Sequence, residues 1–300
     1  MEILTPREVP LGGLRAITVR RTLPQRDRTF VGAWCFLDHY GPEDVDPDGG
    51  MVVPPHPHTG LQTASWLFSG EVEHRDSAGH HAFVRPGELN LMTAGRGISH
   101  SEYSTPGTTV LHGAQLWLAL PDGDRQVEPG FEHHAPEPVS GDGWEARVFL
   151  GSLLGSTSPV RTYSPLLGAE LRVRAGTSLH LPVDPAYEHG LLLDSGSLTV
   201  GDEALKAGEL GYLAPGRDSI EVTAAEDALV LLLGGTPFGE RIVMWWNFIG
   251  REHDEVAAYR AQWQRLVDDG VVDRFALPED DPRPPLPAPT LPNARMLDRG

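Results

Sequence analysis

Two short stretches between residues 50 and 102 decide how this sequence is interpreted. They read GMVVPPHPHTGLQTASWLFSGEVEHRDSAG at 50–79 and MTAGRGISHSE at 92–102. The first contains His56 and His58, and the second contains His100 and Glu102, so each holds an i, i+2 pair of metal-ligand side chains. Side chains two residues apart in a β-strand point to the same face. If the two strands are neighbours in a closed sheet, the four side chains converge on one interior point.

The composition limits the classes of protein that fit. The 300 residues are enough for two domains. Because no apolar run is long enough to cross a membrane and the first residues lack the apolar segment of a secretion signal, we expect a cytoplasmic protein that does not engage a membrane. The net charge of −18 argues against direct binding to nucleic acid. Cys35 is the only cysteine and lies in an apolar run, so we expect a buried, unreactive thiol and no thiolate metal cluster.

The spacing of apolar residues and turns favours short strands. The chain contains 34 glycines and 27 prolines, which interrupt it often. We predict strands at residues 14–20 and 30–37, an acidic loop at 38–50 and a hairpin turn at 76–79. This succession of short strands and turns is typical of an all-β sandwich or barrel.

The same pattern occurs twice along the chain. A Ser-Gly pair, a Gly-Glu-Leu triplet and a further glycine follow one another at 69–95 and again at 195–216. Counted from these landmarks, the counterparts of the four ligand candidates are Pro182, Asp184, Glu221 and Thr223. These residues do not form a ligand set, so we predict one metal site, in the first half of the chain.

The last sixty residues show a different pattern. Residues 252–267 have helical periodicity, with one apolar face that we expect to pack across the domain interface. That face consists of Val256, Tyr259, Trp263 and Leu266. From Leu277 onward the chain is rich in proline, which predicts an extended or disordered tail.

Three histidines and one glutamate would suit a first-row metal ion. Neutral imidazole binds Fe, Ni, Cu and Zn, and a carboxylate shifts the preference towards Fe(II) and Mn(II). An octahedral ion held by four protein ligands keeps two positions for small molecules, and the absence of cysteine from the set disfavours a structural zinc site. Five other histidines cluster around a turn and in a polar connector, and we interpret them as solvated: His74, His80, His81, His133 and His134.

These residues resemble the pirin family, and specifically the bacterial pirin-like bicupins. The resemblance is carried by HPHTGLQT, LFSGEVEHRDSAG, RPGELNLMTAGRGISHSE and WWNFIGREHDE in this order. It implies an all-β bicupin of two jelly-roll β-barrel domains with a C-terminal helix. We place the N-terminal metal-binding cupin at 1–135, a C-terminal cupin lacking metal ligands at 136–270, and the proline-rich tail at 271–300.

The resemblance also implies a function. Pirin-like proteins hold one divalent ion, most often Fe(II), through residues that correspond to His56, His58, His100 and Glu102; Mn, Ni, Co, Cu and Zn are the alternatives. Some members are quercetin 2,3-dioxygenases, which implies a flavonol-like phenolic substrate. In that reaction we assign Glu102 a catalytic role, accepting the hydroxyl proton of the substrate when it loosens from the metal. Others are iron-dependent regulators that bind a transcription factor or a metabolic enzyme. We expect a monomer in either case.

Two residues depart from the general cupin motif. Gln62 stands where that motif has glutamate, and Thr93 stands where it has proline. Gln62 is not at a pirin ligand position, so we expect metal binding to persist with altered hydrogen bonding around the ligands.

Overall fold

The computed structural model describes residues 1–10, 17–45 and 50–300. Part of the predicted strand at 14–20 and of the predicted acidic loop at 38–50 lies outside the described residues. The regular elements of the described chain are β-strands and one helix, α1 (His253–Asp269), so the predicted fold class is confirmed. Within these residues no helix has both the length and the apolar character needed to span a membrane.

The first barrel combines a seven-stranded and a four-stranded antiparallel sheet, with strands numbered in chain order. The seven-stranded sheet contains, in spatial order, β12 (Gly130–His134), β9 (Leu89–Thr93), β6 (Leu61–Ser69), β11 (Val110–Ala119), β4 (Trp34–Asp44), β3 (Thr18–Leu23) and β2 (Arg7–Pro10). The four-stranded sheet contains β5 (Val52–His58), β10 (Ile98–Ser104), β7 (Val72–Asp76) and β8 (His81–Val84).

The second barrel has the same composition of sheets. Its seven-stranded sheet contains β1 (Glu2–Leu4), β22 (Leu210–Leu213), β19 (Glu188–Ser195), β24 (Ala228–Gly235), β17 (Leu166–Val173), β14 (Trp144–Leu150) and β13 (Val139–Gly141). Its four-stranded sheet contains β18 (Ser178–Pro182), β23 (Ser219–Ala224), β20 (Leu198–Val200) and β21 (Glu203–Leu205). Two ribbons complete the fold: β15 (Ser152–Leu153) with β16 (Ser156–Thr157), and β25 (Val243–Trp245) with β26 (Phe248–Gly250).

The first strand of the chain belongs to the second barrel. β1 pairs antiparallel with β22, from Glu2 opposite Tyr212 to Leu4 opposite Leu210. The amino group of Met1 also bonds to Glu203, 2.5 Å away. The chain then enters the first barrel at β2 and returns to the second barrel at β13. Two connections therefore join the barrels, one before and one after the first barrel.

A shared core lies between the two seven-stranded sheets. Trp66 of the first barrel stacks on Phe149 of the second with ring centroids 4.5 Å apart. The indole nitrogens of two buried tryptophans also cross the interface: Trp34 donates to Leu167 O at 3.2 Å, and Trp66 donates to Glu170 Oε2 at 2.8 Å. These bonds satisfy indole N–H groups that would otherwise be buried without a partner.

The residues before position 45 differ from the prediction. The acidic stretch that begins at Asp38 continues strand β4 up to Asp44 instead of forming a loop. Asp38 is fully buried and receives two hydrogen bonds of 2.6 Å from the guanidinium of Arg21, which compensates for its burial. Cys35 is buried as expected, and burial raises the pKa of its thiol.

The helix and the tail pack together. The four residues of the predicted apolar face are the buried residues of α1, but they contact the β25–β26 hairpin and the tail, not the interface between the barrels. The tail is extended, and it is held in place. The Trp263 indole donates to Leu286 O at 2.8 Å, and Leu286 N donates to Pro55 O at 2.8 Å, so Leu286 links the tail to both α1 and β5.

Candidate metal centre

Two paired strands present the ligand candidates. β5 and β10 are antiparallel neighbours, and His56 lies directly opposite His100. The turns at their ends are joined by a hydrogen bond of 2.8 Å from Gly60 N to Gly95 O. Gly95 has a φ of +50°, and a β-carbon there would lie 2.0 Å from Val127 O, so this turn needs glycine. This glycine-bearing turn at 94–97 leads directly into the strand that carries His100.

Three histidine rings converge at this point. One ring nitrogen each of His56, His58 and His100 lies within 4.8 Å of the other two. Nε2 of His58 is 3.1 Å from Nε2 of His100. Two ligands about 2.1 Å from an ion and at a right angle to each other are about 3.0 Å apart, so this spacing fits adjacent ligands of one metal ion.

The protonation states of the rings also suit a metal. Nδ1 of His56 lies 2.9 Å from Pro54 O and donates to it, which leaves Nε2 unprotonated. Burial lowers the pKa of His56 to about 4 and holds the pKa values of His58 and His100 well below their usual range. All three rings are therefore neutral near pH 7, which is the form that binds a metal. Nδ1 of His58 forms no hydrogen bond with the described residues, although the backbone of Asn247 approaches it.

Glu102 lies beside this trio and not within it. Its carboxylate is within 4.8 Å of ring nitrogens of His100 and His74. It is 7% exposed, and burial raises its pKa to about 7, an effect that the nearby Ser65 hydroxyl partly offsets. A carboxyl group with such a pKa can hold or release a proton near neutral pH.

His74 corrects the prediction that five histidines are solvated. It lies on β7, the other neighbour of β10, opposite Glu102, and it is 3% exposed. Its Nδ1 is 3.3 Å from Nδ1 of His100, and its Nε2 is 3.3 Å from Asp76 Oδ2. Asp76 also contacts the half-exposed His80 at 3.0 Å. The i, i+2 pair His74 and Asp76 has the same spacing as the two ligand pairs, and this signal was available in the sequence.

The histidines lie at the base of a cavity of about 460 Å³. This volume is in the range of pockets that hold a drug-sized aromatic ligand. Apolar and aromatic side chains form much of its wall: Phe36, Val53, Trp117, Met244, Trp245 and Trp246. The Trp117 ring meets His58 edge-on at 5.1 Å. A second depression of about 590 Å³ lies at residues 140–145 of the second barrel, and none of its described lining residues is a histidine.

Trp246 has a strained backbone conformation. Its φ is +51°, in the region that favours glycine, at the turn between β25 and β26. For a tryptophan this costs about 1–3 kcal/mol. The ring lines the cavity and meets Phe248 edge-on at 5.5 Å, so the strained residue contributes directly to the site.

The corresponding strands of the second barrel carry apolar side chains on their inner face. Leu179 and Leu181 of β18 and Ile220 and Val222 of β23 belong to its core. His180 and Glu221 pair with each other and face solvent. The predicted counterparts are therefore displaced by one to three residues. The connection after β18 spans 183–187, whereas the connection after β5 spans only 59–60. The connection before β23 spans 214–218, whereas the connection before β10 spans 94–97.

A second group of possible ligands lies elsewhere, at the interface of the barrels. Nε2 of His39 and Nε2 of His112 each lie 2.6 Å from Asp194 Oδ1. Arg20 donates to Nδ1 of His39, which makes Nε2 the protonated nitrogen of that ring. The group is thus a hydrogen-bonded bridge between the barrels, and the guanidinium beside it disfavours a cation.

The residues 16–118 match the Pirin family model, and residues 168–267 match the model of the Pirin C-terminal cupin domain. A Pseudomonas aeruginosa protein named "Putative quercetin 2,3-dioxygenase PA1205" is 47% identical over 265 residues, which cover 88% of this chain and 84% of that protein. The chain belongs to the pirin family. The crystal structure of a quercetin 2,3-dioxygenase from Acinetobacter baumannii superposes on this pirin with a TM-score of 0.92 and 38% identity, covering 99% of this chain and 97% of the other.

A more distant pirin supports the fold. The bacterial pirin YhhW from Escherichia coli, in complex with nickel(II), has a TM-score of 0.62 at 18% identity and covers 79% of this chain and 99% of that chain. At this identity the likeness shows the shared fold alone. The ligand assignment for the present pirin therefore depends on the geometry of its own histidines.

Proposed function

We propose that this pirin is a metal-dependent dioxygenase that acts on flavonols or similar enolisable phenols. The observation that carries the proposal is the convergence of three buried, neutral histidines at the base of an aromatic cavity. The 47% identity to a protein named for quercetin 2,3-dioxygenase activity supports the choice of substrate class.

The proposed ligands are His56, His58, His100 and Glu102, with Fe(II) as the expected ion. When bound, a divalent ion supplies a Lewis acid that favours the deprotonated form of the substrate hydroxyl. The aromatic walls orient a flat phenol and exclude water from the base of the cavity. When it is released from the ion, Glu102 is the carboxylate placed beside the histidines to accept the hydroxyl proton.

Metal analysis tests the ligand assignment. We expect about one first-row metal ion per chain, lost in His56→Ala and in His100→Ala. His180→Ala is the matched control, because that histidine is exposed on the second barrel. Full occupancy in both ligand variants would show that the histidines form only a hydrogen-bonded cluster.

Turnover tests the activity. Protein loaded separately with Fe, Mn, Ni, Co or Cu is incubated in air with quercetin, and flavonol absorbance, oxygen uptake and carbon monoxide release are followed together. We expect equimolar consumption of oxygen and quercetin with at least one metal. The absence of turnover with all five metals, together with metal-dependent capture of one protein partner, would favour the regulatory alternative.

A further inference from the structure

Three arginines line the cavity: Arg7, Arg21 and Arg299. The only carboxylate among the described lining residues is Glu102, which lies near the histidines. The whole chain has 42 acidic and 24 basic residues and a net charge of −18. A basic cavity in so acidic a chain is a local feature that attracts anions to this site.

The charges of the three arginines are not equally compensated. Arg21 is paired with Asp38 through two bonds of 2.6 Å, and its guanidinium lies over the Phe36 ring at 4.4 Å. Arg7 donates from Nη1 to the uncharged Pro24 O at 2.8 Å. Among the described residues neither Arg7 nor Arg299 has a carboxylate within ion-pair distance. Two positive charges therefore have no partner in this part of the chain.

Arg7 and Arg299 line the same cavity, and the positive charge of Arg299 acts on Arg7. Burial lowers the pKa of Arg7, and so do the positive charges of Arg21 and Arg299, while Asp38 opposes this effect. Asp298, the acidic residue next to Arg299 in sequence, is bound to Arg241 at 2.8 Å. An anion placed between Arg7 and Arg299 would remove this repulsion and form charge-assisted hydrogen bonds.

We propose that the substrate is a phenol or enol that carries a second, anionic group, such as a carboxylate, sulfonate, sulfate or phosphate, which binds to Arg7 and Arg299. This inference deepens the proposed function and rests on it for the orientation of the hydroxyl towards the histidines. The aromatic part of the molecule then lies against Trp117, Trp245 and Trp246. The arginines determine specificity for the far end of the substrate.

Binding to the metal-free protein tests this selectivity without turnover. The quenching of tryptophan fluorescence is titrated with quercetin and with the sodium salt of quercetin-5′-sulfonic acid, at low and at high NaCl. We expect the sulfonate to bind about tenfold more tightly than quercetin at low salt, which corresponds to roughly one charge-assisted contact. High salt is expected to reduce this preference, because the arginines are solvent-exposed.

A double substitution and a matched control isolate the two arginines. In Arg7→Gln/Arg299→Gln the Kd for the sulfonate is expected to rise about tenfold, while the Kd for quercetin changes less than about twofold. Arg174→Gln/Arg217→Gln removes the same charge from exposed positions on the second barrel and is expected to leave both Kd values unchanged. Equal affinity for the two compounds, or equal losses in the two double variants, would overturn the proposal.

The two proposals can fail separately. Oxidation of quercetin without preference for the sulfonate refutes the anionic subsite and leaves the dioxygenase assignment intact. Arginine-dependent binding of the sulfonate without oxidation of either compound by the metal-loaded protein supports the subsite and refutes the dioxygenase assignment.

Discussion

Nδ1 of His74 lies 3.3 Å from Nδ1 of His100, and both side chains are buried. His74 in turn contacts Asp76, so a chain of hydrogen bonds fixes the ring of a proposed ligand. We expect His74→Leu to weaken metal binding about 10–100-fold, measured with Ni(II) by competition with a chelator. His133→Leu, at a half-exposed position, is the control. An unchanged Kd in a folded His74→Leu protein would show that His74 does not position His100.

The two departures from the cupin motif are partners of each other. Gln62 Nε2 donates to Thr93 Oγ1 at 2.9 Å, on neighbouring strands. Gln62→Leu and Thr93→Val should each lower the free energy of unfolding by about 1–3 kcal/mol, because each leaves a buried polar group unpaired. In urea unfolding, the double variant should lose about 1 kcal/mol less free energy of unfolding than the sum of the losses in the two single variants. Gln62→Leu combined with Thr223→Val, an exposed position, should be additive.

The buried histidines make the metal-free protein sensitive to acid. Unfolded chains protonate histidine near pH 6.5, but burial lowers the folded pKa of His56 to about 4. Its contribution to stability is therefore complete above about pH 6.5 and is lost as the pH falls towards 4, by about 3 kcal/mol. His58 and His100 act in the same direction. Urea unfolding from pH 7 to pH 4.5 should show this slope, reduced in His56→Gln.

Glu102 has the opposite pH dependence. Burial raises the folded pKa of Glu102 to about 7. Its contribution to the stability of the metal-free protein is therefore fully present below the unfolded pKa near 4.5 and is lost as the pH rises towards 7. Glu102→Gln should therefore make the acid-dependent slope of the metal-free protein steeper. His81→Gln, at a half-exposed position, should leave the slope as it is in the parent. Identical slopes in all three proteins would contradict the assigned pKa shifts.

The backbone strain at Trp246 predicts that replacing this residue weakens ligand binding with little change in the free energy of unfolding. Trp246→Asn relieves the positive φ, since asparagine tolerates this conformation. The free energy of unfolding should therefore stay within about 1 kcal/mol of the parent, while the affinity for quercetin falls several-fold. Trp245→Asn is the matched control: it lies in strand β25 and has no strain to relieve, so it should lose both stability and affinity. Unchanged affinity in Trp246→Asn would remove this ring from the binding site.

Asp194 is expected to hold the barrels together. Asp194→Ala leaves His39 and His112 without their shared acceptor at the interface and should cost about 2–4 kcal/mol in urea unfolding. The two histidines lower the pKa of Asp194, so its contribution is present above the unfolded pKa near 3.8 and is lost only as the pH falls below it. Asp184→Ala, at an exposed loop position, is the control. Equal stability of Asp194→Ala and the parent would show that the bridge is dispensable.

The period of a β-strand explains which parts of the site could be predicted. His56, His58 and His100 were found because i, i+2 spacing places side chains on one face, and β5 and β10 are indeed neighbours. His74 forms the same i, i+2 pattern with Asp76, but its place beside the ligands depends on β7 flanking β10, and the order of strands in a sheet does not follow from the local pattern. Two of the cavity tryptophans, Trp245 and Trp246, come from the β25–β26 hairpin, far along the chain, and no local signal connects them to the histidines.

The repeated sequence pattern predicted the two barrels but not which residues correspond to each other. The landmarks at 69–95 and 195–216 correctly indicated two related barrels, but longer connections at 183–187 and at 214–218 shifted the register of the counterparts on both strands. A shift by an odd number of residues exchanges the two faces of a strand. This is why Glu221, counted as the counterpart of His100, points to solvent, while apolar residues fill the interior.

The placement of β1 affects how the protein can be made and divided. Glu2–Leu4 leaves the ribosome long before Leu210–Leu213, the strand with which it pairs, so the outer edge of the second barrel is completed by a segment synthesised before the whole of the first barrel. A second barrel produced alone from residue 136 onward would expose the backbone of β22 and invite pairing with other chains. Separate study of the barrels therefore requires that residues 1–4 accompany the second one.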